Sequence, residues 1–295
     1  MLASLYNKRS MKRYGWDPTW LELSPDASAK DIVGAVKVFQ VLHNLSVDGK
    51  VGPMTFRRLE AHKELLDLEM EENVISRKGR LIIGGVPHKV PFKVVNYLEK
   101  GGLSLYPSKH YRKRKGSVNQ WVWHWDATLS AKHCHRILSG KRRASSHGCI
   151  DNDGTFYQFL DFQDVYSWHS GIGAVNKKSV GIDFSNAVYK KYNRWYTSKG
   201  YGPRPEIKAE TNGHRHNLLG YYPEQIETAA HLFAVANKIM NIPLVWPGNH
   251  KRFKKTHLFD GHYGHYHCLK GKWDPAGMPW EEIIKKAKEI LENEY

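Results

Sequence analysis

The stretch "QWVWHW", residues 120–125, decides the fold. Aromatic and β-branched side chains fill it, a length and composition that read as a short buried strand with one histidine, His124, near its end. Working outward, "CIDNDGTFYQFL" (149–160) reads as strand, Asn-Asp-Gly turn and strand, and "SVGIDFS" (179–185) as a further strand. Pro223 to Met240 carries Ile226, Ala229, Ala230, Phe233 and Val235 on one side, and a last helix carries Trp280, Ile283, Ile284, Ala287 and Leu291 at the same period. Upstream, "RLIIGGVPHKVPFKVVNYL" (80–98) predicts two short strands around a Gly-Gly turn. Strands mixed with helices predict an α/β domain with a mixed central sheet flanked by helices.

The chain of 295 residues is 41% hydrophobic, enough for real cores. No apolar run approaches the roughly 18 residues of a membrane-spanning helix, and the start "MLASLYNKRSMKRYGW" lacks the order of a secretory signal. Synthesis in a cytoplasm without an export signal is therefore expected. Three cysteines, Cys134, Cys149 and Cys268, form no CxxC pair, and an odd count argues against a disulfide framework. A net charge of +16 predicts an anionic partner: nucleic acid, a membrane surface or a cell wall. The basic run "HYRKRKG" reads as a solvated loop, or as a contact to such a polyanion.

Residues 31–59, "DIVGAVKVFQVLHNLSVDGKVGPMTFRRL", form a separate helical unit. Ile32, Val36, Phe39 and Leu42 recur at helical spacing behind Ser28 or Asp31 as cap, "VDGKVGP" is a turn, and a second short helix is expected from Thr55. Phe39, Gln40, Leu45, Asp48, Gly49, Gly52, Pro53 and Thr55 match in register the pattern of the peptidoglycan-binding type 1 module, which this unit resembles. A DNA-reading helix-turn-helix is the competing reading, weakly served by Arg57 and Arg58. The expected division is a small all-α wall-binding module over 1–65, a linker helix over 66–80 and a catalytic domain over 81–295.

The chemistry concentrates in "GHYGHYHCLKGKWDP" (261–275), rich in histidine and lysine. A hydrolytic zinc site needs three protein ligands and an open fourth position, and one short segment rarely supplies all three, so a distant ligand such as His124 is required. "WVWHWDAT", "SSHGCIDNDGTFYQFLD", "SWHSG", "NKKSVGIDFSN", "YYPEQIETAAHLF" and "KWDPAG" occur in the order found in zinc-dependent N-acetylmuramoyl-L-alanine amidases of the type 2 amidase and peptidoglycan-recognition superfamily, which the chain resembles over about residues 118–285.

That resemblance implies Zn2+ held by His124, His265 and Asp274, with Lys272 offsetting charge on the scissile carbonyl oxygen. His267, His262 and Cys268 stand as alternatives to His265. The general base departs from the pattern: one branch of the family has glutamate where Asp183 stands, another a tyrosine where Ser146 stands. Asp183 is the expected base, with a carboxylate that merely orients a ligand histidine as the competing role. His147 and His169 match cleft positions and are expected to bind substrate, while Asn176 and Ser179 read as loop-shaping.

The implied activity is cleavage of the amide between N-acetylmuramic acid and the L-alanine of the stem peptide, in a monomeric enzyme of the endolysin kind. Its implied partners are bacterial peptidoglycan and an anionic wall or outer-membrane surface, with no nucleic acid. A peptidoglycan-recognition protein that does not cut, a bacterial autolysin or recycling amidase, and a basic zinc nuclease are the competing classes. No nucleotide, flavin or haem is implied.

Overall fold

A computed structural model describes residues 2–21, 23–71, 79–106, 111–141 and 143–294, with side chains 64–71 and 294 left aside. Three helices come first: α1 (Ala3–Tyr14), α2 (Ala29–Leu42) and α3 (Pro53–Glu71). Strands β1 (Gly79–Ile83), β2 (Val86–Val90), β3 (Val94–Val95), β4 (Tyr111–Lys113) and β5 (Gln120–Trp125) follow, then α4 (Ala131–Leu138), β6 (Gly148–Ile150), β7 (Phe156–Gln158) and β8 (Val165–Ser167). The chain continues through α5 (Gly173–Asn176), β9 (Ser179–Phe184), α6 (Asn193–Ser198), β10 (Glu206–Thr211) and β11 (His214–Leu219). It ends with α7 (Pro223–Met240), β12 (Gly261–Gly264), α8 (His265–Cys268) and α9 (Trp280–Glu294). Among the described residues no helix is long and apolar enough to cross a membrane.

The central sheet has the order β12-β5-β9-β6-β7-β3. It is mixed: β12, β5, β9 and β6 run parallel, β7 pairs antiparallel with β6, and β3 lies parallel to β7. β5 and β9 are buried along their whole length, as expected for parallel strands covered on both faces. One face meets α7 and α9. Trp121, Trp123 and Trp125 alternate onto it with Val180, Ile182 and Phe184, against Ile226, Phe233, Trp280 and Ile283. Alternation therefore turns His124, Asp183 and Cys149 to the opposite face, where register sets His124 beside Asp183 and Asp183 beside Cys149. This row lies toward the carboxyl ends of the parallel strands, where open α/β sheets hold their ligands.

The helical unit has its own core of Trp16, Ile32, Val36, Phe39, Val51 and Leu59. Ser28 caps α2 by accepting from the Asp31 amide. The second helix, α3, is longer than the short one expected: it runs through 53–71 and so takes in the start of the segment read as a linker, whose residues 72–78 lie outside the described ones. Gln40 is buried and clamps the turn, donating to Asp48 Oδ1, the Lys50 carbonyl and Thr55 Oγ1 while accepting from the Gly49 amide. Helix α1 closes the same turn through Asn7, which bonds the Gly49 carbonyl and the Val51 amide, and through Ser10, which donates to the Val51 carbonyl.

Arg58 of α3 is not free to read DNA. Its guanidinium is buried against Asp161 at 3.1 Å and Asp164 at 3.6 Å, joining the helical unit to the sheet domain. Asp161 also accepts from the Gly84, Gly85, Gln163 and Asp164 amides. Burial alone raises its pKa, but Arg58 and these amides outweigh that and hold it below the carboxylate range. Ala61 of α3 packs with Ile82, Tyr97 and Leu98 beside this pair. Arg114, within the basic run, is likewise internal: it donates to the carbonyls of Gln163, Val165, Lys177 and Ser179.

Candidate metal centre

His124 near the end of β5, His265 at the start of α8 and Asp274 six residues past α8 converge at one point. His124 Nδ1 lies 3.1 Å from His265 Nδ1 and 3.1 Å from Asp274 Oδ2, and His265 Nδ1 lies 2.9 Å from Asp274 Oδ2. All three side chains are buried.

The surrounding hydrogen bonds orient the rings. His265 Nε2 faces the Ser170 carbonyl at 3.2 Å, which can only accept, so Nε2 donates outward and Nδ1 is the atom turned to the cluster. A longer relay does the same for His124. Ser179 Oγ donates to the Val175 carbonyl and accepts from His169 Nε2; His169 Nδ1 then accepts from His124 Nε2 at 3.1 Å, and His124 Nδ1 is turned to the cluster. Burial, then His265, lowers the His124 pKa to about 4, and burial, then His124, drives His169 well below its usual value, so both rings stay neutral. Burial pulls the Asp274 carboxyl upward, yet His265 and His124 hold it well below the ordinary range and therefore ionised.

Two Nδ1 atoms and a carboxylate oxygen thus meet at one point. The spacing fits a cation closely: ligands about 2.0–2.1 Å from a tetrahedral ion stand about 3.3 Å apart. The second nitrogen of each histidine is bonded outward, the arrangement that orients metal ligands. Gly181 makes the relay possible, because a Cβ there would fall 2.4 Å from His169 Cγ.

The other candidates of the His-rich stretch point elsewhere. His262 faces the opposite side of the sheet, stacked on Phe233 with ring centroids 3.7 Å apart and accepting from Trp123 Nε1. His267 accepts from the Gly264 amide and donates to the Asn249 carbonyl. Cys268 directs its thiol to the His265 carbonyl.

A cavity of about 210 Å3 opens over the cluster, lined also by Asp183, His169, Ser146 and Lys272. The Lys272 side chain is exposed at its edge. Asp183 accepts from Ser146, and its pKa is raised to about 8, first by burial and then by Asp126 and Asp274. His147 does not reach the cavity: its Nδ1 accepts from the Gly181 amide and its Nε2 donates to the Val165 carbonyl, so both nitrogens are consumed behind the sheet. His169 reaches it but spends both nitrogens in the relay. Ser179, read from sequence as loop-shaping, is a relay member, and Asn176 Oδ1 accepts from the amide and hydroxyl of Ser170, whose carbonyl holds His265. A larger cavity of about 1340 Å3 lies between β3, α7 and α9 on the other face, where no such cluster of ligand atoms converges among the described residues.

Among solved structures, the chain is similar to the catalytic domain of XlyA, with 16% identity and a TM-score of 0.41 over 66% of this chain and 99% of that one. It is similar to a mutant endolysin from Bacillus subtilis, with 16% identity and a TM-score of 0.42 over 66% and 98%. An endolysin from a Thermus scotoductus bacteriophage gives 13% identity and a TM-score of 0.38 over 66% and 99%. No curated protein matches the chain. The sequence profile of the N-acetylmuramoyl-L-alanine amidases matches residues 114–277, more than half of the chain and the whole span from His124 to Asp274. The chain belongs to the N-acetylmuramoyl-L-alanine amidase family.

Proposed function

We propose that the chain is a zinc-dependent peptidoglycan amidase that cuts between N-acetylmuramic acid and the L-alanine of the stem peptide. The observation that carries this reading is the convergence of two histidine Nδ1 atoms and a carboxylate oxygen at 2.9–3.1 Å beneath an open cavity, within a family of such amidases. His124, His265 and Asp274 would hold the zinc, which would supply polarisation of the scissile carbonyl and activation of water. Lys272 at the cavity edge offsets the negative charge that develops on the carbonyl oxygen. Asp183, which lines the cavity, takes the proton of the attacking water and returns it to the leaving amine. Asp183 stands on the strand next to His124 and in register with it.

The helical unit is proposed to hold the enzyme on the wall and thereby raise its local concentration at an insoluble substrate. The net charge of +16 adds attraction to anionic surfaces. Synthesis in a host cytoplasm and release to the wall once the membrane is permeabilised, the life of a phage endolysin, completes the proposal.

Lys272→Ala tests the chemistry. Solubilisation of purified sacculi is expected to fall about 10²–10³-fold, the loss of one oxyanion donor, with metal content unchanged. Solubilisation at the wild-type rate would remove Lys272 from the mechanism, and a wild-type protein that binds sacculi without solubilising them would make the chain a recognition protein.

A further inference from the structure

We infer that the same cavity wall holds a second cation site, formed by Asp126, Cys134 and Cys149 and suited to a soft divalent ion such as Zn2+ or Cd2+. One ligand atom from each lies within 4.8 Å of the other two. Cys149 Sγ stands 3.8 Å from Asp126 Oδ2. Around a tetrahedral ion with metal–sulfur bonds of about 2.3 Å, two sulfurs stand about 3.8 Å apart and a sulfur and an oxygen about 3.6 Å, so small side-chain shifts close the set.

Three features separate this group from ordinary packed thiols. Both cysteines are free and buried, at 2% and 0% exposure, yet they face a carboxylate oxygen in place of a purely apolar wall. That carboxylate is aimed: Asp126 Oδ1 accepts from the Thr128 and Asn186 amides and Oδ2 from the Thr128 hydroxyl, which fixes the carboxylate plane as outer hydrogen bonds do for metal ligands. Asp126 and Cys134 also line the 210 Å3 cavity, so an ion has a way in. Two thiolates with one carboxylate select zinc or cadmium over magnesium or calcium. On binding, each thiol gives its proton to solvent and a sulfur lone pair to the ion, with no change of oxidation state.

The site is distinct from the His124 cluster. Asp183 on β9 pairs with His124 on one side and Cys149 on the other, so two strand spacings, about 10 Å, separate the backbones of His124 and Cys149. The inference concerns cation binding and stands whether or not the hydrolytic reading holds.

The experiment is a Cd2+ titration of the full chain after chelator treatment, following the ultraviolet sulfur-to-cadmium charge-transfer band together with the equivalents bound. Two equivalents and a thiolate band are expected for the wild type. Cys134→Ser with Cys149→Ser is expected to lose the band and one equivalent, and His124→Ala with His265→Ala to lose the other equivalent and keep the band. A wild type that binds one equivalent without the band overturns the inference, as does a band that survives the serine double variant, which would assign it to Cys268. Cadmium NMR of the wild type needs no variant: two resonances, one in the thiolate region, support the site, and a single nitrogen- and oxygen-ligated resonance excludes it.

Discussion

At the scale of single residues, the outer hydrogen bonds carry as much weight as the identity of the converging side chains. Histidine and aspartate within reach of each other are common; two histidines whose second nitrogens are each bonded outward have the orientation that suits metal ligands. His169→Ala cuts the relay between His124 and Ser179 without touching a ligand. Zinc affinity is expected to fall about 10–100-fold, measured by competition with a chromophoric chelator, and His169→Gln to recover part of it through an amide that bonds His124. Unchanged affinity in the alanine variant would show that the ring is not what orients His124. Of the residues named from sequence, His124, His265 and Asp274 come from separate segments, and the structure brings them together; each sits in a short motif, which made them legible. The roles of Ser170 and Ser179 were not. A backbone carbonyl has no sequence signature, and a serine that passes a hydrogen bond looks like any loop serine until the strands are laid side by side.

At the scale of elements, strand register does the positioning. Because β5, β9 and β6 are adjacent and alternate in step, one face receives His124, Asp183 and Cys149 as a row while the other receives tryptophan, isoleucine and phenylalanine. Gly181 belongs to that row's supply line. Gly181→Ala puts a methyl into the His169 ring, and the expected outcome is a folded protein with zinc affinity reduced about tenfold or more; wild-type affinity would mean β9 yields at no cost to the relay. Elements with an apolar stripe or a dense apolar run, α2, α7, α9, β5 and β9, were legible. Helix α1 was not, because the side chains it buries include Asn7 and Ser10, which bond the turn at residues 49–51 and leave no apolar period to read. The hairpin of β10 and β11 was missed for another reason: its strands are half-exposed, but its turn, Asn212-Gly213 with both φ positive, is the usual signal for a tight hairpin and stood in the sequence unread.

At the scale of the molecule, the motif of the helical unit explains its own fold. Gln40, Asp48, Gly49 and Thr55 are consumed in holding the turn before α3, so their pattern marks an architecture, and the proposed wall contact would have to come from other surfaces of the unit. The buried Arg58–Asp161 pair fastens that unit to the sheet domain. Sequence showed Arg58 only as a charge on a helix, since a partner 103 residues away leaves no local trace. Asp161→Asn is expected to destabilise the protein by about 3–5 kcal/mol, read by chemical denaturation, because it leaves the buried guanidinium only the more distant Asp164 carboxylate. A loss below about 1 kcal/mol, the range of an exposed pair, would show that water reaches this junction.

The claim that joins these scales is the proposal that His124, His265 and Asp274 hold the zinc of a wall amidase. Mass spectrometry of the fragments released from purified sacculi, with chelator and again after zinc is restored, tests it most directly. Free stem peptides beginning with L-alanine, absent under chelation and returning with zinc, are the expected result. Release of sugar fragments with the peptides still attached, or release that chelation leaves untouched, would contradict it.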